Sequence, residues 1–242
     1  MECHDIQAVS HTLRQGLEAF GLADPGAVQT LTRYCQALLD KNREMNLTAI
    51  TDPVDAANLH MLDCAALLSC AQLSGQTLID VGTGAGFPGM VLKILVPSLE
   101  LTLLDSLNKR LDWLGEVCGA LDIRGVRRLH GRAEEAGRDP ELRERFAFAT
   151  ARAVADLRLL CELCLPFLQV GGRLLAMKGV SSLQEVEGAL PAIQTLGGRL
   201  ERCFDYTIPN TQVVHRVVIV EKISSTPPQF PRRWSKIQKS PL

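Results

Sequence analysis

The sequence predicts an α/β fold: a seven-stranded, mostly parallel sheet with an antiparallel last strand, preceded by a helical extension. Three observations carry that expectation. Apolar residues recur at helical spacing up to about residue 72. From Gln76 onward, short apolar runs alternate with helical stretches, the pattern of βαβ units. The last two apolar runs are separated by a loop too short for a parallel crossover, so they should pair antiparallel.

In the extension, Asp24-Pro25 and Asp52-Pro53 each read as a helix start, an Asp cap followed by Pro in the first turn. Val28, Leu31, Cys35, Leu38 and Leu39 follow the first start; Leu59, Leu62 and Leu67 follow the second. Strands are expected at 77–81, 100–104, 126–129, 146–150, 173–177, 200–207 and 213–222, and helices at 88–96, 107–121, 156–168 and 182–196. Residues 224–242 are rich in Pro, Ser and basic side chains and read as an extended tail. The chain thus divides into a helical extension (1–72), a core (73–223) and a basic tail (224–242).

The length of 242 residues suits one α/β domain with a modest extension. Hydrophobic residues at 46% and charged residues at 22% are ordinary for a soluble globular chain. A net charge of -1 excludes a uniformly basic molecule, so any nucleic-acid contact must use local patches. The eight cysteines are scattered through apolar patterns; Cys161 and Cys164 form a single C-x-x-C with no second pair, so no metal site is expected. Met1 to Ser10 holds Glu2, His4 and Asp5 and no apolar core, and no apolar run is long enough to span a bilayer. A cytoplasmic protein with reduced thiols and no membrane partner is expected.

The strongest motif runs from Leu78 to Gly89, where a buried strand enters Gly82-Thr83-Gly84-Ala85-Gly86 and Pro88 opens a helix. Glycines are needed where the backbone turns tightly and a ligand approaches closely. Gly84 to Gly89 also fits the dinucleotide pattern G-x-G-x-x-G, which keeps a nicotinamide-dependent oxidoreductase open as a rival. Gly82 adds an earlier glycine, Asp80 stands where a carboxylate can reach a cationic amino-acid group, and no second nucleotide-binding half follows. These features favour S-adenosyl-L-methionine as cofactor. Asp105, 19 residues after Gly86, is placed to hydrogen-bond ribose hydroxyls. The loop His130 to Glu134 ends the third strand and should lie beside the adenine.

The stretches Asp80 to Gly89, Leu104 to Arg110, Gly131 to Glu134, Ala151 to Ala155 and Lys178-Gly179 together resemble the RsmG family of bacterial 16S ribosomal RNA guanine-N7 methyltransferases. Asn46 to Ile50, His60 to Asp63 and the ending from Pro231 to Leu242 share the resemblance. It implies a Rossmann-like class I methyltransferase fold and a target in the 530 loop of the small subunit. It also implies a cofactor site lined by Gly82, Phe87, Asp105, Ser106, Leu107, Ala133, Glu134 and Arg152, to which the glycine loop adds Gly84. Its partners would be 16S ribosomal RNA or the small subunit, with no DNA.

The exit of the fourth strand, Ala149 to Ala153, holds neither an Asn/Asp-Pro-Pro-aromatic stretch nor a reactive Cys. Guanine N7 needs neither, because it already carries a free lone pair. No catalytic base is assigned; Arg152 is the candidate for orienting base or cofactor, and Lys178 is similarly placed. His60 and His130 read as structural. Basic residues cluster at Lys109, Arg110, Arg124, Arg127, Arg128 and Arg132, and in the tail at Lys222, Arg232, Arg233, Lys236 and Lys239 with Phe230 and Trp234 interleaved, a combination that suits looped RNA. A non-catalytic RNA-binding module is the third reading.

Overall fold

The computed structural model describes residues 3–152 and 155–242; Ala153 and Val154 of the fourth strand's exit, and Met1 and Glu2 of the stretch read above for a signal, lie outside the described residues. The elements run α1 (Cys3–Glu18), α2 (Pro25–Met45), α3 (Pro53–Ala56), a π-helical stretch (Ala57–Leu62), α4 (Asp63–Ala65), a 3-10 turn (Ala66–Ser69), β1 (Thr77–Val81), α5 (Gly89–Leu95), β2 (Glu100–Asp105), α6 (Asn108–Ala120), β3 (Val126–His130), α7 (Ala133–Ala136), β4 (Phe146–Arg152), α8 (Leu157–Cys164), β5 (Leu168–Gly179), α9 (Leu183–Thr195), β6 (Gly198–Thr207), β7 (Val214–Lys222) and α10 (Trp234–Lys239).

The sheet order is β3-β2-β1-β4-β5-β7-β6. Neighbours from β3 through β5 pair in parallel, while β7 is antiparallel to both β5 and β6, the expected final hairpin. The order reverses between β1 and β4, so a crevice opens beyond the carboxyl ends of these strands. Period-2 geometry divides the strand residues between two apolar layers. Leu78, Leu103, Phe148, Leu175 and Val217 face a core shared with the N-terminal helices through Val9, Leu13, Leu31 and Leu38. Ile79, Leu104, Ala149, Leu174 and Val218 face the opposite core with α8 and α9.

Both Asp-Pro starts form caps: Asp24 accepts from the Ala27 amide and Asp52 from the Asp55 amide, each at 2.9 Å. The helix expected after Pro53 is not regular, because it widens into the π turn at Ala57–Leu62, where the Asp63 amide reaches the Asn58 carbonyl. The widened turn carries His60 and Asp63 into a buried polar cluster, described below, with residues of β4, β6 and β7. Among the described residues no helix is long and apolar enough to cross a membrane.

The expectation of an extended tail fails. Phe230 and Ile237 are buried in the α8–α9 layer, and α10 forms at the end of the chain. Arg232 grips Glu162 of α8 through its backbone amide and Nε at 2.8 Å each and Nη2 at 2.5 Å. Arg138 and Arg143 donate to carbonyls of Pro231, Gln229, Phe230 and Thr226 at 2.7 to 2.8 Å. Two of the five basic side chains counted toward RNA are therefore used internally: Arg232, and Lys222, fully buried and bonded to the Leu165 carbonyl and Thr226 hydroxyl. Phe230 is likewise unavailable for stacking on RNA. Arg233, Lys236 and Lys239 remain exposed. Arg232→Ala strands the buried Glu162 carboxylate and is expected to cost about 3 kcal/mol or more, read as a lowered urea midpoint.

Candidate cofactor and substrate site

The glycine loop is built by a buried carboxylate and three left-handed turns. Gly82, Gly84 and Gly86 have φ of 69°, 59° and 89°, values that any Cβ would strain. A Cβ on Gly86 would also meet the Tyr34 hydroxyl and Met90. Asp80 does not face the crevice as expected: it is fully buried. One oxygen accepts from the Thr83 hydroxyl at 2.5 Å and the Gly89 amide at 3.0 Å, and the other from the Thr150 hydroxyl at 2.8 Å. Burial pushes its pKa up while those hydrogen bonds oppose the shift. Asp80 therefore positions the loop from behind.

Asp105, at the carboxyl end of β2, holds the loop from the other side. Its two oxygens accept from the Gly84 and Leu107 amides, each at 2.8 Å, and Arg110 lies 3.7 Å away. Beside it is a cavity of about 190 Å³ lined by Val81, Gly82, Leu104, Asp105, Ser106, Gly131, Arg132, Ala133, Glu134, Leu163 and Trp234. Of the residues singled out in the sequence, Gly82, Asp105, Ser106, Ala133 and Glu134 meet in this cavity. Gly84 faces it only through its backbone bond to Asp105, and Leu107 is 42% exposed at the rim of the β2 exit.

Phe87 and Arg152 belong to a second cluster. The Phe87 ring stacks on His60 at 4.8 Å, and the Arg152 guanidinium lies 4.8 Å from the same ring. Arg152 reaches His60 Nδ1 at 3.0 Å, the Leu59 carbonyl at 3.3 Å and Asp63 at 3.5 Å. Asp63 also accepts from Tyr206 at 2.7 Å and His215 Nδ1 at 2.8 Å. A second cavity, about 570 Å³, is lined by Ile50, Leu59, His60, Asp63, Arg152, Met177, Lys178, Gly179, Val213 and His215. Lys178 is anchored to the Ala155 carbonyl and Glu185, each at 2.6 Å.

An Arg can only donate, so His60 Nδ1 must be the lone-pair nitrogen and Nε2–H must donate to the Thr48 hydroxyl at 2.7 Å. Burial, and then the Arg152 charge, lower the His60 pKa to about 4. Both nitrogens are committed, so His60 positions Arg152 and removes no proton. Sequence reasoning missed Asp63, Tyr206 and His215, which arrive from elements 143 to 152 residues apart. Cys161 and Cys164 are fully buried, and among the described residues no His, Cys, Asp and Glu side chains form a metal-binding group.

Comparison with known proteins decides the family. The model of a family described as rRNA small subunit methyltransferase G matches residues 27–213. The chain belongs to that family. A relative from Alkaliphilus metalliredigens, a ribosomal RNA small subunit methyltransferase G, is 42% identical over 232 residues, 95% of this chain and 97% of its own. One of the same description from Symbiobacterium thermophilum is 45% identical over 245 residues, 98% and 100% of the two chains. Among solved structures, M. jannaschii TYW2 in complex with AdoMet aligns with a TM-score of 0.52 at 15% identity, covering 66% of this chain and 75% of that one, and so shares the fold. The family match spans the glycine loop, Asp105, Ala133-Glu134 and the Phe87–His60–Arg152 cluster.

The His60 shift fixes a pH window. The folded pKa is below the ordinary 6.5, so its contribution to stability is present above pH 6.5 and lost as pH falls toward 4, because only the unfolded chain takes up the proton there. The loss amounts to about 3 kcal/mol. Urea unfolding across this window should fall more steeply for the unaltered chain than for His60→Asn by about that amount; equal slopes would remove His60 from the buried, neutral state.

Proposed function

We propose that this protein transfers the methyl group of S-adenosyl-L-methionine to N7 of a guanine in the 530 loop of 16S ribosomal RNA. Family membership supports the coarser part of that statement, methylation of small-subunit ribosomal RNA. The free RNA or the small subunit is the macromolecular partner. The cofactor supplies an electrophilic methyl group on a cationic sulfur.

The observation that carries the reading is the joining of two cavities' walls by one loop. Gly82 lines the smaller cavity, and Phe87, a few residues on, packs against His60 and Arg152 of the larger one. The smaller cavity fits the nucleoside end of the cofactor. Asp105 is tied by the Gly84 and Leu107 amides with its carboxylate still on the cavity wall, where a ribose hydroxyl can donate to it. Glu134 and Ser106 add polar atoms at the rim. The positive-φ glycines leave the backbone open to close approach.

The larger cavity suits an unstacked base: apolar Ile50, Leu59, Met177 and Val213 offer contact area, and Arg152 and Lys178 offer donors. Guanine presents two acceptors, N7 and O6, on one edge, whereas adenine places an amino group where O6 would be. Donors beside O6 favour guanine with N7 turned toward the glycine loop. N7 attacks with its own lone pair, so the chain's task is to hold the base in line and exclude water. His60 is committed on both nitrogens, and the Asp63 carboxylate is met by Tyr206, His215 and Arg152.

S-adenosylhomocysteine should bind in calorimetry and NADH should not, and Gly84→Val, strained at this left-handed φ, should abolish that binding by deforming the loop; unchanged affinity would sink the site. The single-turnover rate should stay nearly flat from mildly acidic to mildly alkaline pH. His215, whose pKa is raised by its hydrogen bond to Asp63, is the group to watch: a rising limb that vanishes in His215→Gln would replace unaided attack by base catalysis. Arg152→Ala should slow the chemical step roughly 100-fold, and Arg152→Lys, which keeps the charge and loses the planar fork, should not restore it. Nucleoside mass spectrometry of 16S RNA from cells with and without the protein reads the product directly: loss of 7-methylguanosine supports N7, and loss of another methylated base overturns it.

A further inference from the structure

One wall of the smaller cavity comes from the far end of the chain. Trp234, the first residue of α10, is half-buried and lines the cavity with Val81, Leu104 and Leu163. The segment carrying it is fastened on both sides. Arg232 is held by the buried Glu162 carboxylate, and Ile237, one turn beyond Trp234, is fully buried. Arg138 and Arg143 bind the carbonyls of the preceding residues, and both arginines follow α7, whose Ala133 and Glu134 line the same cavity. The C-terminal strap and the loop after β3 are thus one hydrogen-bonded unit around the cavity.

The cavity is chemically divided. Val81, Leu104, Leu163 and the indole form its apolar part; Asp105, Ser106 and Glu134 form its polar part. At about 190 Å³ it has room for a purine. A flat heterocycle with a polar edge uses both parts, stacking on the indole face and hydrogen-bonding along its rim. The cofactor's adenine matches both parts of this cavity, and its amino-acid end is then left to the open glycine loop.

We infer that Trp234 is an adenine-stacking residue of the cofactor pocket, delivered there by the C-terminal strap. The inference rests on the cofactor reading above and extends it to a segment that the family match, which ends at residue 213, does not reach. The strap's role is therefore in cofactor binding, and its aromatic residue is taken from the set that the sequence assigned to RNA.

Intrinsic fluorescence and calorimetry on the full chain test it. The chain has two tryptophans, and Trp113 is buried against Tyr34 in the other core layer, with ring centroids 6.4 Å apart. Saturation with S-adenosylhomocysteine should quench emission in the unaltered chain, and the change should vanish in Trp234→Phe, which keeps a ring and should hold affinity within roughly threefold. Trp234→Ala should weaken S-adenosylhomocysteine about tenfold and adenosine by the same factor, because both present the same ring. A Trp that only fills space would leave adenosine and the emission unaffected. Unchanged emission at saturation, or affinity within about twofold in Trp234→Ala while Gly84→Val abolishes binding, would overturn the inference. Absence of binding to the unaltered chain would instead overturn the cofactor reading first, so the two failures are told apart; the fluorescence measurement needs no folded Ala variant.

Discussion

The buried Asp80 carboxylate is the constraint on which the site depends. It sits at the carboxyl side of β1 and collects Thr83 and Gly89 from the glycine loop and Thr150 from β4. β1 and β4 are the strands between which the sheet order reverses. A single side chain therefore ties together both strands flanking the crevice, the loop that lines it and the first residue of α5. Burying a carboxylate is costly unless its lone pairs are used, and here three donors use them. The return on that cost is a loop whose positive-φ glycines are held in one shape before any ligand arrives, which removes an ordering cost from binding.

Asp105 completes the loop from the opposite side, and both acids are buried. Both accept backbone amides, yet Asp80 is fully enclosed while Asp105 lies on a cavity wall. An acid at the end of a strand can be a scaffold or a ligand contact, and spacing alone does not separate the two. The side-chain partners do. Thr83, Gly89 and Thr150 donate three hydrogen bonds to Asp80 inside the protein, whereas Asp105 meets two amides beside the cavity.

Much of the fold was legible because its signals are local. Asp-Pro caps, short apolar runs and the glycine loop each act over a few residues, and all seven strands and the final hairpin fall where those signals stand. The π turn, the Asp63 cluster and the docked strap were not legible, because they depend on contacts between distant segments: Arg152 with His60, 92 residues apart, and Arg232 with Glu162, 70 apart. One overlooked signal existed. Glu162 stands in Leu157–Cys164, a stretch otherwise almost wholly apolar, so its carboxylate had to meet a cation inside the protein. The basic tail supplies that partner. Charge counted by composition was assigned to RNA, when part of it was needed to neutralise this one buried acid.

The same logic explains how the titratable groups around Arg152 are spent on one another. The Arg152 guanidinium is enclosed by His60, Phe87, the Leu59 carbonyl and Asp63, and each contact removes one freedom from it. His60 kept neutral does not repel Arg152 and accepts its hydrogen bond through a lone pair; a protonated His60 would do neither. Tyr206 and His215 in turn fix the Asp63 carboxylate from the final hairpin. The hairpin therefore has a chemical use beyond closing the sheet: it delivers His215 and Val213 to the larger cavity and sets the acid that aligns Arg152. These residues together supply a donor of fixed direction in a largely apolar cavity, where a positioned charge acts more strongly than it would in water. For an acceptor atom with a lone pair already free, such a donor and an aligned base are what the chain has to provide.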